Sequence, residues 1–326
     1  MGKKKRKKKP IRKTHKTVSI AHSKATNAQP RFTVAMATYN RALWLPSAIE
    51  SVLSQSFSDF EYVIVDDGST DNTKGVVEKF IEKDRRIKYT YQNNEERSAA
   101  RNNGIKQAKG DWICFLDSDD VYHTNHLEEF FNLIKKSKDD KGLYFSGLSH
   151  GKYTEDLEQY DLSHKNNIEF ILLNTIGTPR ACVHKSILLN HQFNEKITIG
   201  EDQELWARIL NNYPLYWHNK KTFIEIEHPL RSINLSSEKK GHEILKNIIK
   251  ANKHLISKRV KKESLSNSYF FISKSILKKN SSLKAFWFIL ASILINSSNP
   301  QRRHRLLLLL SLFNIYKSKI KKEYIS

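Results

Sequence analysis

The sequence predicts an α/β protein: a mostly parallel central sheet flanked by helices, with a helical extension behind it. Three observations carry that prediction. Short apolar runs rich in β-formers alternate with segments of helical period through residue 116. Polar and acidic clusters follow the predicted strands at Thr38–Asn40, Asp66–Asp67 and Asp117–Asp120, the edge where open parallel sheets bind ligands. From residue 241 onward only helical patterns remain.

The elements follow in order. Phe32–Thr38 (FTVAMAT) reads as a strand, and Trp44–Ser54 as a helix whose Leu45, Ile49, Val52 and Leu53 share a face. Phe60–Val65 is a second buried strand, ended by Asp66-Asp67-Gly68-Ser69-Thr70-Asp71, and Val76, Val77, Phe80 and Ile81 mark the next helix. Ile87–Tyr91 is a third strand, Ala99–Ala108 a helix closed by Gly110, and Trp112–Leu116 a fourth strand. Leu143–Leu148 is strand-like and Ile168–Leu173 a short helix. Glu201 and Asp202 open a helix with Leu205, Trp206, Ile209 and Leu210 on one face, and Pro214–Ile226 gives a strand pair. The apolar stretches Ala285–Asn296 and Leu306–Phe313 are too short to span a bilayer, which takes roughly 18–20 residues.

Charge divides the chain into three. Residues 1–30 hold 11 Lys/Arg and no acid, a basic tail expected to be disordered. Residues 235–326 hold 20 Lys/Arg against 4 Glu, whereas residues 31–234 are net acidic, 25 against 30. A nucleic-acid enzyme concentrates positive charge around its working groove, so no nucleic-acid partner is expected; basic flanks suit an anionic membrane surface. Met1–Lys9 lacks the apolar core of a secretory signal, so the expected location is cytoplasmic, peripheral at the inner face of a membrane. Cys114 and Cys182 stand far apart without CxxC spacing, which excludes a disulfide framework or a cysteine zinc site.

Neither GxGxxG nor GxxxxGK[ST] occurs, so phosphates must be held another way. Carboxylates repel phosphate unless a divalent cation bridges them, and hard oxygen ligands favour Mg²⁺ or Mn²⁺. Five segments then occur in order: Ala37-Thr38-Tyr39-Asn40-Arg41, Val65–Asp71, Ala100-Arg101-Asn102-Asn103-Gly104, Leu116-Asp117-Ser118-Asp119-Asp120 and Gly200-Glu201-Asp202-Gln203-Glu204-Leu205-Trp206. Together they resemble the family 2 glycosyltransferases of the GT-A fold, a Rossmann-like architecture, over residues 31–234.

The resemblance implies inverting transfer of a sugar from a nucleotide-diphosphate sugar, with UDP-sugars favoured, to a hydroxyl on a saccharide or lipid-linked acceptor. The expected setting is assembly of surface polysaccharide, lipopolysaccharide or another glycoconjugate. It assigns Asp119 to the metal and Asp117 to ribose and metal. Asp67 would contact the nucleobase, Thr38, Tyr39 and Asn40 would line base and ribose, and Arg101 would neutralise phosphate or orient Asp67. Asp202 is the expected general base, with Glu201 as the alternative. His228 falls where many relatives carry a loop that closes on metal and diphosphate, although Ile226-Glu227 replaces the usual tyrosine-arginine pair before it.

Other readings stand beside these. Asp66–Asp71 has the composition of a turn and cap, and Glu201-Asp202 suits a helix N-terminus. Trp206 and Trp44 are expected in packing, and His123 and His126 in structural roles. A basic nucleic-acid-binding protein on a degenerate scaffold is disfavoured by the intact carboxylates, and a nucleotidyltransferase by the Glu201-Asp202 pair. The donor sugar, the linkage and the oligomeric state are left open.

Overall fold

The computed structural model describes residues 29–148, 167–174, 176–226, 235–277 and 282–296, together with 302, 304–310 and 312. Strands β1 (Phe32–Thr38), β2 (Phe60–Asp67), β3 (Ile87–Gln92) and β4 (Trp112–Phe115) alternate with helices α1 (Leu45–Leu53), α2 (Thr73–Ile81) and α3 (Glu96–Gln107). Then come β5 (Val121–Tyr122), α4 (His126–Lys136), β6 (Leu143–Leu148), α5 (Asn167–Leu173), β7 (Ala181–His184) and α6 (Lys185–Asn190). The order closes with α7 (Glu201–Ile209), β8 (Leu215–Ile224), α8 (Leu235–Ala251), α9 (Lys258–Leu277) and α10 (Ser282–Ile295).

The eight strands form one sheet in the order β3-β2-β1-β4-β7-β6-β8-β5. Pairs β3–β2, β2–β1, β1–β4 and β6–β8 are parallel; β4–β7, β7–β6 and β8–β5 are antiparallel. The parallel half is therefore as expected, and the far half is mixed. The chain leaves β1 towards β2 and β3, then returns to β4 on the other side of β1. That reversal opens a crevice beyond the carboxyl ends of β1 and β4, where doubly wound sheets take their ligands.

β1 and β2 are almost continuously buried, as strands covered on both faces must be. One face packs Leu45, Ala48, Ile49 and Val52 of α1 and Leu127, Phe130 and Ile134 of α4 against the sheet. The other packs Ile105, Ile171, Leu205, Trp206 and Ile209 together with Leu245, Ile248 and Ile249 of α8. The compositional boundary at residue 234 is thus not a packing boundary, because α8 shares the sheet's core. A separate apolar cluster starts within α9 at Phe270 and includes Ala285, Ile289, Ile293 and Leu312.

Three features differ from the sequence expectation. Pro214–Ile226 is not a strand pair: it holds the single strand β8, whose pairing with β6 jumps from Ser146↔His218 to Gly147↔Lys221. Asn219 and Lys220 are absorbed as a bulge rather than a turn. The short elements β5, β7 and α6 and the helix α4 carry no expected counterpart. Cys114 and Cys182, remote in sequence, are register partners across β4 and β7, both buried and free.

Candidate active site

β1 ends at Thr38, whose side chain is buried while its Oγ1 has no hydrogen-bond partner among the described residues. A buried hydroxyl with unmet bonding capacity at a strand's carboxyl end suits a bound ligand. Tyr39, next along, is exposed. Asn40 adopts the left-handed backbone (φ 51°), and its Oδ1 accepts from Thr70 N at 2.8 Å, Thr70 Oγ1 at 3.3 Å and Asp71 N at 3.3 Å. It ties the loop after β2 to the end of β1. Gly68 turns that loop at φ +85°, and a Cβ there would meet Asn94 N at 2.8 Å.

The two acids ending β2 are held differently. Asp66 accepts from Ser69 N at 2.8 Å through one oxygen and from Tyr89 OH at 2.7 Å through the other, a turn-forming role. Asp67 accepts from Gln92 Nε2 at 2.8 Å and Glu95 N at 2.9 Å, both at Oδ1. Its carboxylate is therefore fixed by the end of β3 and the segment leading into α3.

Beyond β4, Asp120 is buried and accepts from Ile226 N at 2.9 Å, so it joins this edge to the end of β8. Asp119 lies 3.5 Å from Arg41 Nε. Asp117 accepts from Arg101 Nη2 at 2.8 Å and keeps 38% of its side chain exposed at the crevice.

Arg101 is the centre of the site. It is buried on α3, and its other terminal nitrogen donates to Glu201 Oε1 at 2.8 Å. Its guanidinium also lies over the Phe193 ring at 5.5 Å. Burial opposes its charge, but Asp117 and Glu201 more than offset that and raise its pKa. The guanidinium is engaged by these two carboxylates, so it bridges the β4 edge to α7 and does not orient Asp67.

α7 starts after Gly200, which sits at φ +77° and accepts from Glu204 N at 3.0 Å. This left-handed turn, open to glycine at little cost, sends Glu201 inward to Arg101 and leaves Asp202 half-buried beside it. Asp202 accepts from Gln203 N at 2.7 Å. Burial first, and then the charge of Glu201, push its carboxyl up to about 7, with the Gln203 N–H and Arg101 pulling the other way. Of the two neighbouring acids, Glu201 is committed to an ion pair and Asp202 is poised to exchange a proton near neutral pH.

The segment before α7 is positioned by α3. Asn102 Nδ2 donates to Phe193 O at 2.9 Å and to Glu195 Oε1 at 2.9 Å, while its Oδ1 accepts from Phe193 N at 2.9 Å. Ser98 Oγ donates to Ile197 O at 3.3 Å. Sequence reasoning gave Ser98 and Asn102 no separate role. Their signal was the recurrence of the polar residues Ser98, Arg101 and Asn102 at helical spacing, on a helix whose inward face should have been apolar.

Among the described residues no three His, Cys, Asp or Glu side chains converge as a metal site. Asp117 and Asp119 supply hard oxygen donors, which suits a Mg²⁺-like cation that takes its remaining positions from phosphate and water. His228 lies outside the described residues.

Comparison with known proteins shows what this arrangement is similar to. Residues 33–182 match the model described as "Glycosyl transferase family 2". The match makes this segment, a little under half of the chain, similar to that family. An uncharacterized glycosyltransferase of Rickettsia bellii is 35% identical over 185 residues, covering 55% of this chain and 26% of that protein. The GalNAc(5)-diNAcBac-PP-undecaprenol beta-1,3-glucosyltransferase of Campylobacter jejuni is 30% identical over 197 residues, 58% of this chain and 62% of its own length. The chain thus spans less than two thirds of the length of these relatives. In fold it is similar to S. aureus TarS 1–349 in complex with UDP, with a TM-score of 0.59 and 20% identity over 90% of this chain and 92% of that one. Mannosyltransferase PcManGT from Pyrobaculum calidifontis, solved with GDP-Man and Mn²⁺, gives 0.58 and 15% identity over 90% and 82%. These likenesses establish a GT-A fold.

Proposed function

We propose that this protein is a family 2 glycosyltransferase that transfers a sugar, with inversion, from a nucleotide-diphosphate sugar to a hydroxyl of a saccharide or lipid-linked acceptor. The observation that carries the reading is Asp202, a carboxyl held at about 7 and joined through Glu201 and Arg101 to Asp117 at the donor edge. Inversion by single displacement needs a base on the acceptor side of the anomeric carbon. Asp202 takes the acceptor's proton as its oxygen attacks, and Glu201 and Arg101 hold that base in position. Thr38 Oγ1 and Asp67 meet the nucleoside. A bound Mn²⁺ or Mg²⁺, held by Asp119 and Asp117, would neutralise the leaving diphosphate. His228 is proposed as a further ligand.

A UDP-sugar is the favoured donor, supported by the UDP complex of TarS, and GDP-Man in the Pyrobaculum enzyme is the alternative. The Campylobacter relative's name supports a lipid-linked acceptor, and with it work at the cytoplasmic face of a membrane in surface-glycan assembly. The test is nucleotide binding and donor hydrolysis with UDP-, GDP-, dTDP- and CMP-sugars, in Mn²⁺ or EDTA, for the wild type, Asp119→Ala and Asp202→Asn. Metal-dependent binding of one nucleotide should be lost in Asp119→Ala and kept, with little turnover, in Asp202→Asn. Binding of none would overturn the proposal.

A further inference from the structure

We propose that α10 lies on an anionic lipid surface, its outward apolar face entering the headgroup boundary. The helix is apolar on both sides, yet only one packs against other described residues. Ala285, Ile289 and Ile293 are buried in the cluster formed with Phe270, Ile272 and Ile276 of α9. Ser266 Oγ donates to Ser292 O at 2.6 Å and the Tyr269 and Phe288 rings lie 5.9 Å apart, so the two helices run antiparallel. On the opposite side Trp287 is 62% and Leu294 72% exposed, with Leu290 and Ala291 half-buried between them. These four positions recur at helical spacing without a charge among them.

The helical residues that follow repeat the pattern, with Leu307 and Leu310 exposed, and Phe271 of α9 is exposed too. Among the described residues, five of the nine large exposed apolar side chains therefore belong to this last part of the chain. So much apolar surface in one region marks an interaction site.

Charge selects the partner. From Ser264 to Ser326 the sequence holds 11 Lys/Arg and a single acid, Glu323. Lys274, Lys284 and Arg302 are exposed around the apolar positions. A second copy of this surface would bring like charge against like charge, whereas anionic lipid supplies both an apolar layer and compensating charge. Tryptophan suits that boundary, where an amphipathic ring is accommodated. α10 has 14 residues, or about 21 Å, against a hydrocarbon core of about 30 Å. Among the described residues no helix is long and apolar enough to cross a membrane, so α10 lies on the surface. The inference does not depend on the proposed reaction.

The test uses the full chain. Sedimentation with vesicles of phosphatidylcholine, alone or with about 30% phosphatidylglycerol, is measured at low and high salt for the wild type and for Trp287→Ser with Leu294→Ser. Wild type should bind the anionic vesicles, with affinity falling about tenfold or more at high salt and again in the double variant. Both substituted residues are exposed, so circular dichroism and the melting temperature should not change. Brominated acyl chains should quench tryptophan fluorescence in the wild type and much less in Trp287→Phe. Equal binding by wild type and the double variant would overturn the proposal, as would no binding to anionic vesicles. So would a dimer in light scattering that the double variant turns into a monomer, since a second copy would then cover the face.

Discussion

Replacing Asp202 by Asn should move stability and activity in opposite directions. Burial and the charge of Glu201 hold this carboxyl at about 7 against an ordinary 3.8. A folded-state pKa raised above the unfolded one favours folding while the proton is bound, and that contribution is lost as pH rises through about 7. Measured against a group that never ionises, linkage puts the resulting penalty at about 4 kcal/mol at pH 8 and about 2 kcal/mol at pH 5. Asparagine never ionises and escapes it. The variant should therefore be more stable by about 4 kcal/mol at pH 8 and by about 2 kcal/mol at pH 5. Urea unfolding at the two pH values measures this, and turnover should fall by about 10²–10⁴ if the base is lost. A variant less stable than wild type at pH 8, or a gain equal at both pH values, would refute the reasoning and reduce Asp202 to a cap on Gln203 N.

Four further variants give measurable outcomes. Arg101→Met strands the buried Glu201 carboxylate and should cost about 3–5 kcal/mol in denaturant unfolding. Removing the guanidinium also removes the charge that pulls Asp202 down, so the rise of activity with pH should move to higher pH in Arg101→Met, and less in Arg101→Lys, which keeps a cation but not the two-pronged bridge. His218 is pushed by burial to about 4 from 6.5, so its contribution is complete above about pH 6.5 and is lost as pH falls through about 4. That loss approaches about 3 kcal/mol, and His218→Phe should flatten the acid limb of a melting-temperature profile. Asn40→Ala removes the acceptor shared by Thr70 and Asp71, and nucleotide affinity measured by calorimetry should fall while the unfolding free energy changes by only about 1 kcal/mol.

The parallel half of the fold was legible because its signals are local. Phe32–Thr38 coincides with β1, and Trp112–Leu116 exceeds β4 by one residue, since a strand buried on both faces shows an uninterrupted apolar run. The mixed half was less legible. β7 has four residues and β5 two, too few to establish a period, and their partners lie on β4 and β8, far along the chain. A strand pair over Pro214–Ile226 would need a turn, yet Asn219 and Lys220 are instead absorbed by a shift of register against β6.

The candidate site divides along the same line. Its residue types were readable, since Asp117, Asp119, Glu201 and Asp202 stand in short acidic clusters at element ends. How the two acidic stations are joined was not, because that link is made by one side chain whose partners are 16 and 100 residues away. A helix such as α3, read alone, has too many polar residues on its buried face to pack well. With Ser98, Arg101 and Asn102 facing residues 193–201, the same polarity becomes the means of placing the start of α7 against the end of β4. Polar groups buried at such cost persist where every one is satisfied, and here the bonds converge on the segment that carries the proposed base. α3 is therefore the part of the core that fixes where the proposed base sits relative to Asp117, a role that residue types imply only once their partners are known.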